Sequence, residues 1–186
     1  METLRLLESH VKRAADLEPR LLELLGKELY FRLGDDAQRD LELGELYFSN
    51  NPEPDDYSHA INYFHRAYER EFKQRLRMPL IKCLREKGHV NYGSGGTAKP
   101  LLTNGAFNRM LTLGQVLGYL ERDALVKGIV NDLGLHVDEI WENGDEIHKA
   151  RNRAVHEYVC RREDAARVRN MLLGENSILK SLFPAS

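Results

Sequence analysis

Tyr57-Ser58-His59-Ala60-Ile61-Asn62-Tyr63-Phe64-His65-Arg66-Ala67-Tyr68-Glu69-Arg70-Glu71-Phe72-Lys73-Gln74-Arg75-Leu76-Arg77-Met78 is the most regular stretch of the chain. Ile61, Phe64, Tyr68, Phe72 and Leu76 recur every three or four residues, so a helix of 3.6 residues per turn carries them along one side. Arg66, Arg70, Lys73, Arg75 and Arg77 fill much of the remainder. The pattern predicts a basic amphipathic helix over 57–78. Pro79 should interrupt it by removing a backbone donor, with a short continuation from Leu80 to Glu86.

The same period extends in both directions, and strand alternation is almost absent. Toward the N-terminus, Leu21, Leu25 and Leu29 follow Pro19, whose missing N–H suits the first turn of a helix. Helices are expected over 3–17 and 19–33. Gly34 then marks a stop, and Asp35-Asp36 a new cap. Leu43-Gly44-Glu45-Leu46-Tyr47, a polar loop, Asp56-Tyr57-Ser58-His59-Ala60, and then Phe64 and Ala67 resemble one helix pair of a tetratricopeptide or Sel-type repeat. There a small residue lets two helices approach while aromatic rings fill the gap. The unit occurs once, and a solenoid needs at least three, so these helices read as part of a single bundle.

Toward the C-terminus, residues 88–105 are irregular. Gly93-Ser94-Gly95-Gly96 lacks the Gly-Lys-Ser/Thr ending and preceding strand of a phosphate loop, and reads as a connector. A helix over 106–121 carries Phe107, Met110, Leu111, Gly114, Leu117 and Leu120. A helical stretch over 123–150, broken near Gly134, buries Val137, Ile140, Trp141 and Ile147. A last helix over 162–173 presents Ala165, Val168 and Leu172, and a tail from Phe183 should fray. The expected fold is all-α, an up-and-down bundle of six to eight helices. Residues 1–56 form an N-terminal helical extension, 57–175 the bundle and 176–186 a tail.

Of 186 residues, 42% are hydrophobic and 30% charged, which suits an ordinary solvated domain. No apolar run approaches the roughly 18 residues of a membrane span, and the first residues do not form a signal peptide. The reading is cytoplasmic, with no membrane partner. Cys83 and Cys160 read as reduced thiols, and no cluster has metal-ligand spacing. No metal or cofactor is expected. Net charge is −2 but segregated: −7 over residues 1–58, +7 over 59–120 and −2 over 121–186. The basic middle could meet phosphates or pair with the acidic N-terminal region.

Chemistry concentrates in Arg151-Asn152-Arg153-Ala154-Val155-His156-Glu157-Tyr158. On one helix Asp145, His148, Asn152 and His156, spaced three, four and four, form a polar stripe that must face water, a partner or a ligand. Arg151 and His156 are five apart, about 140° of rotation, so they share a face only if the helix bends or a second chain supplies a complementary pair.

Arg151-Asn152-x-x-x-His156 resembles the signature of HEPN domains (higher eukaryote and prokaryote nucleotide-binding domains): an Arg, often followed by a polar residue, and a His four to six residues on. Glu163-Asp164-Ala165 resembles the start of the family's following helix, and Leu111-Thr112-Leu113-Gly114-Gln115 the entry to its preceding one. Cys160 stands where a capping Ser or Asp is expected. The resemblance spans about residues 57–175, and its specific part is 145–168. It implies a helical homodimer and metal-independent endoribonuclease activity in prokaryotic defence or toxin–antitoxin systems. RNA is then the substrate, with catalytic Arg151, Asn152 and His156 and supporting His148 and Asp145. An imidazole can take the 2′-OH proton or protonate the leaving oxygen, and a guanidinium can hold the phosphate as charge builds. Arg151, His156 and Tyr158 also match the longer form found in toxins whose tyrosine is adenylylated. That makes Tyr158 a possible modification site and an antitoxin or nucleotidyltransferase a possible partner. Two other functions fit the residues. One is a non-catalytic HEPN scaffold or nucleotide-binding regulator; the other is a repeat-type adaptor working through helices 36–78.

Overall fold

The apolar stripe of residues 57–78 is buried as its spacing requires: Ile61, Phe64, Tyr68, Phe72 and Leu76 are each at most 1% exposed. A computed structural model of the chain describes residues 17–50, 55–87, 112–156 and 159–184. Among them there are ten α-helices and one π-helical turn, and no strand. In order these are α1 (Leu17–Leu25), α2 (Lys27–Arg32), α3 (Asp35–Ser49), α4 (Ser58–Phe72), the π turn (Lys73–Arg77), α5 (Met78–Glu86), α6 (Leu113–Arg122), α7 (Ala124–Asp132), α8 (Val137–His156), α9 (Arg162–Leu173) and α10 (Ile178–Ser181). The expected all-α class is therefore present among the described residues, with more and shorter helices than the six to eight expected. The helix expected over 3–17 and the connector at 88–105 lie outside the described residues, apart from Leu17, which opens α1.

Three differences have local causes. The helix expected over 19–33 divides at Gly26, whose φ of 78° lies in the left-handed region that glycine tolerates. Of the helix expected over 106–121, residues 106–111 lie outside the described residues, and α6 starts at Leu113 because Thr112 is extended and caps it. The Thr112 hydroxyl accepts from Gln115 N–H (3.3 Å), and the Gln115 side chain accepts from Thr112 N–H (2.9 Å), a reciprocal capping box. At Pro79 the helix widens instead of stopping. Proline lies in the first turn of α5, where its missing N–H is tolerated, and the π turn just before it re-pairs the backbone, so the chain stays helical from Ser58 to Glu86.

The chain divides into two compact units, Met1–Arg70 with Lys149–Ser177, and Glu71–His148 with Ile178–Ser186. In the first, α3 and α4 pack closely because Gly44 has no side chain: a Cβ there would lie 2.6 Å from the Phe64 ring. Leu21, Leu41, Ile61 and Leu172 are fully buried in this core. Glu45 is also fully buried. Its carboxylate accepts two bonds from Arg169 (2.6 and 3.0 Å) and pairs with Arg20 (2.9 Å), joining α1, α3 and α9. Asp40, 2% exposed, pairs with Arg70 (2.6 Å) and Arg66 (3.3 Å), and Asp36 also meets Arg70. Arg66 and Arg70 are thus neutralised by the acidic helix α3, the second of the two roles open to the basic stretch.

In the second unit Leu80, Leu84, Val116, Leu120, Ile129 and Ile140 form the core. Asp123 caps α7 by accepting from the Leu125 and Val126 N–H groups (3.0 and 3.1 Å). Gly134, at φ 73°, reverses the chain before α8. Leu182 and Phe183 are packed here: Leu182 is fully buried, and the Phe183 ring lies 3.7 Å from the Arg75 guanidinium carbon. Phe183, where fraying is expected, is instead held by this cation–π contact, with Arg75 fixed by its bond to buried Glu71 (2.5 Å); Ala185 and Ser186 lie outside the described residues.

Glu45→Ala leaves two guanidinium groups without their shared buried carboxylate. Urea denaturation of this variant should show a loss of about 3–5 kcal/mol, whereas a neutral result would mark the network as surface-like.

Candidate functional site

The last turns of α8 carry the candidate run. Ala150 and Ala154, one turn apart, are buried, which fixes the rotation of the helix in the first unit. At 100° per residue, Asn152 and His156 then lie on roughly the opposite side, toward solvent. His156 is exposed and is the final residue of α8; Arg151 and Asn152 are half-buried. Arg151 Nη1 donates to Asn152 Oδ1 (3.2 Å), so the guanidinium and the amide form one polar unit. Arg153 reaches Asp164 of α9 at 3.9 Å. The structure therefore joins Arg151 to Asn152 and leaves His156 on the water-facing side. Glu157 and Tyr158, including the possible modification site, lie outside the described residues.

Asp145 and His148, the supporting pair, belong to the part of α8 within the second unit and are half-buried. His148 packs against α6 where Gly114 leaves room: a Cβ at Gly114 would lie 2.8 Å from His148 Nε2. That close approach assigns His148 a packing position as well as a place on the stripe.

Beyond the run, Cys160 is a clip. Its N–H donates to Asp56 Oδ1 (3.1 Å), and its carbonyl accepts from Tyr57 N–H (2.8 Å). Asp56 also accepts from Ser58 N–H and Ser58 Oγ (both 3.0 Å) at the start of α4. Burial works against ionisation of Asp56, but these N–H and O–H donors outweigh it and hold its carboxyl below the ordinary carboxylate range. Because both backbone groups of Cys160 serve the clip, the N-cap of α9 is Arg161, without a side-chain cap bond. Cys160 is buried, and neither it nor Cys83 forms a disulfide.

Beside the clip lies an arrangement that the spacing of residues did not disclose. Tyr47 of α3 stacks on two residues of α4, His59 (5.3 Å between centroids, 30° between planes) and Tyr63 (5.4 Å, 20°). Arg66 lies over Tyr63 at 5.4 Å. The neighbouring Phe48 meets Tyr57 edge-on (6.1 Å), and the guanidinium groups of Arg162 and Arg169 lie 5.3 and 5.2 Å from its ring centre. The available signal was the i,i+4 pair His59/Tyr63 facing Tyr47 across the glycine contact. Of the aromatic residues that would serve a repeat-type adaptor, Tyr57 and Phe64 are buried in the helix pair.

In the second unit an open hollow of 460 Å³ is lined by Lys127, Asn131, His136 and Glu139 among others, and by none of the predicted site residues. Among the described residues no group of three or more His, Cys, Asp or Glu is arranged to hold a metal ion, and no helix is long and apolar enough to cross a membrane. Comparison of the chain with protein-family models, curated proteins and solved structures gives no match.

The lowered pKa of Asp56 gives the clip a pH signature. A carboxyl whose folded value is depressed adds stability above its unfolded value, 3.8, and loses it as pH falls through the lower folded value. Asp56→Ala should therefore be less stable than wild type at neutral pH. The difference in urea midpoint should shrink as the pH is taken well below 3.8; an undiminished difference in acid would mean that charge plays no part.

Proposed function

We propose that this chain is a HEPN-type, metal-independent endoribonuclease that cleaves RNA by attack of the RNA's own 2′-OH, acting as a homodimer. The observation that carries the reading is the end of α8: a guanidinium and an amide bonded to each other, and an imidazole on the solvent-facing side, all on one helix whose rotation is set by Ala150 and Ala154. A cytoplasmic role in prokaryotic defence or a toxin–antitoxin pair follows from the same resemblance, with Tyr158 as the residue a partner nucleotidyltransferase would modify.

In this scheme a neutral His156 removes the 2′-OH proton. The 2′-oxygen attacks phosphorus, the P–O5′ bond breaks, and an imidazolium protonates the leaving 5′-oxygen. The products are a 2′,3′-cyclic phosphate and a 5′-hydroxyl. Arg151 binds the non-bridging phosphate oxygens, whose negative charge grows in the transition state, and Asn152 orients the guanidinium through the bond already present. His148 and Asp145 support α8 from its preceding turns.

Labelled RNA incubated with the protein in EDTA should be cut. Arg151→Ala and His156→Ala should each lower the rate by about 10²–10⁴-fold with helical content unchanged. Retained cleavage in either variant removes that residue from the mechanism, and tight RNA binding without any turnover would make the chain a non-catalytic module.

A strand carrying a single 2′-deoxy sugar should resist cleavage at that position alone. Efficient cutting there, or of DNA, would rule out the internal nucleophile.

A further inference from the structure

The stacked rings of Tyr47, His59 and Tyr63 are an unusual use of surface aromatics. Rings that merely fill a helix–helix gap are buried, as Phe64 is, whereas His59 is exposed and Tyr47 and Tyr63 are half-exposed. Their planes lie within 30° of parallel, the geometry in which a further flat ring can continue the stack. One side is occupied by Arg66 over Tyr63; His59, one turn earlier on α4, is the open end.

His59 is joined to the candidate run through the Cys160 clip. Tyr57, two residues before His59, is hydrogen-bonded to Cys160, which lies only four residues after His156. Four residues span at most about 14 Å. The same clip directs Arg161 and Arg162, both exposed, into the neighbourhood, and Arg162 lies over Phe48, the residue next to Tyr47. Arg66 and Arg70 are already paired with Asp40, so the cations offered to a polyanion here are Arg161 and Arg162. Asp56, two residues before α4, has Oδ1 occupied by the N–H groups of Ser58 and Cys160 and Oδ2 by the Ser58 hydroxyl.

We infer that the Tyr47–His59–Tyr63 ladder is a stacking platform for an unpaired base of single-stranded RNA, with Arg161 and Arg162 contacting the adjoining phosphates. It rests on the reading of the chain as RNA-directed, and it adds a binding subsite to it. Aromatic stacking tolerates any base, so the platform would secure an unpaired strand beside Arg151 and His156 without selecting its sequence.

The test is fluorescence anisotropy of the full chain with a labelled, unstructured 2′-O-methyl oligoadenylate, which cannot be cleaved, and with an abasic strand of equal length. His59→Ala should weaken binding of the base-bearing strand about 5- to 150-fold and leave the abasic strand unchanged, while His59→Phe keeps wild-type affinity. Arg161→Ala with Arg162→Ala should weaken both strands and flatten the salt dependence. Absence of binding by wild type, equal affinity for the two strands, or an unchanged His59→Ala overturns the platform. So does loss of self-association in His59→Ala with RNA affinity intact, which would make the ladder a protein contact. Cleavage of unmodified RNA, measured in parallel, separates the two ideas. Base-dependent binding without cleavage keeps the platform and ends the nuclease; cleavage with unchanged His59→Ala binding does the reverse.

Discussion

A carboxylate with no access to water sits where three helices meet. Glu45 is in the interior of the first unit, and an ion there is tolerable only if opposite charge and hydrogen bonds replace its hydration. Arg169 meets both of its oxygens in the fork geometry that guanidinium allows and lysine does not, and Arg20 adds a third contact from its half-exposed position. Such an arrangement adds less stability than its short distances suggest, since desolvation offsets most of the Coulomb gain. Its effect is on register. α9 can dock on α3 only where Arg169 reaches Glu45, and α9 begins six residues after His156, so the exit from the candidate run is anchored at both the Cys160 clip and the buried ion pair.

Much of this fold is written in periodicity. The burial of Ile61, Phe64, Tyr68, Phe72 and Leu76 follows from their spacing, and the close approach at Gly44 follows from a small residue opposite an aromatic one. The limits of α9 were legible too, at Arg162 and Leu173. Less legible were events decided by single backbone groups. Gly26 divides a helix through its positive φ, Thr112 starts one through a reciprocal cap, and Pro79 yields a π turn because the surrounding helix is buried strongly enough to absorb a missing donor. An apolar count over a window averages over such events.

The site divides in the same way. A polar stripe can be read from intervals of three and four, and Asn152 and His156 do face outward. What spacing does not contain is the neighbour across the gap. Nothing in the run 145–156 says that Gly114 will draw His148 against α6, or that Asn152 will hold the guanidinium of Arg151. The basic character of residues 59–120 is a similar case. As a sum of charges it left phosphate binding and pairing with the acidic N-terminal region both open; Asp36 and Asp40 meet Arg66 and Arg70, and Glu71 meets Arg75, while the exposed Arg161 and Arg162 come from a segment whose net charge is negative.

The geometry of α8 also bears on how the proposed reaction would have to be assembled. With Ala150 and Ala154 inward, Arg151 is about 100° from Ala150 and Asn152 about 200°, while His156 is about 240°. Asn152 and His156 therefore face the same water, and Arg151 reaches toward them by donating to the Asn152 amide. One helix end thus offers a single imidazole, which can take the 2′-OH proton but cannot also hold the proton needed by the leaving oxygen on the far side of phosphorus. An in-line displacement places those two oxygens on opposite sides of the phosphate, so a second acid must approach from elsewhere. A symmetric copy of the same helix end would supply it at no further cost in residue types, one imidazole serving as base and the other as acid. A homodimer would in this way complete the proton inventory of the proposed reaction.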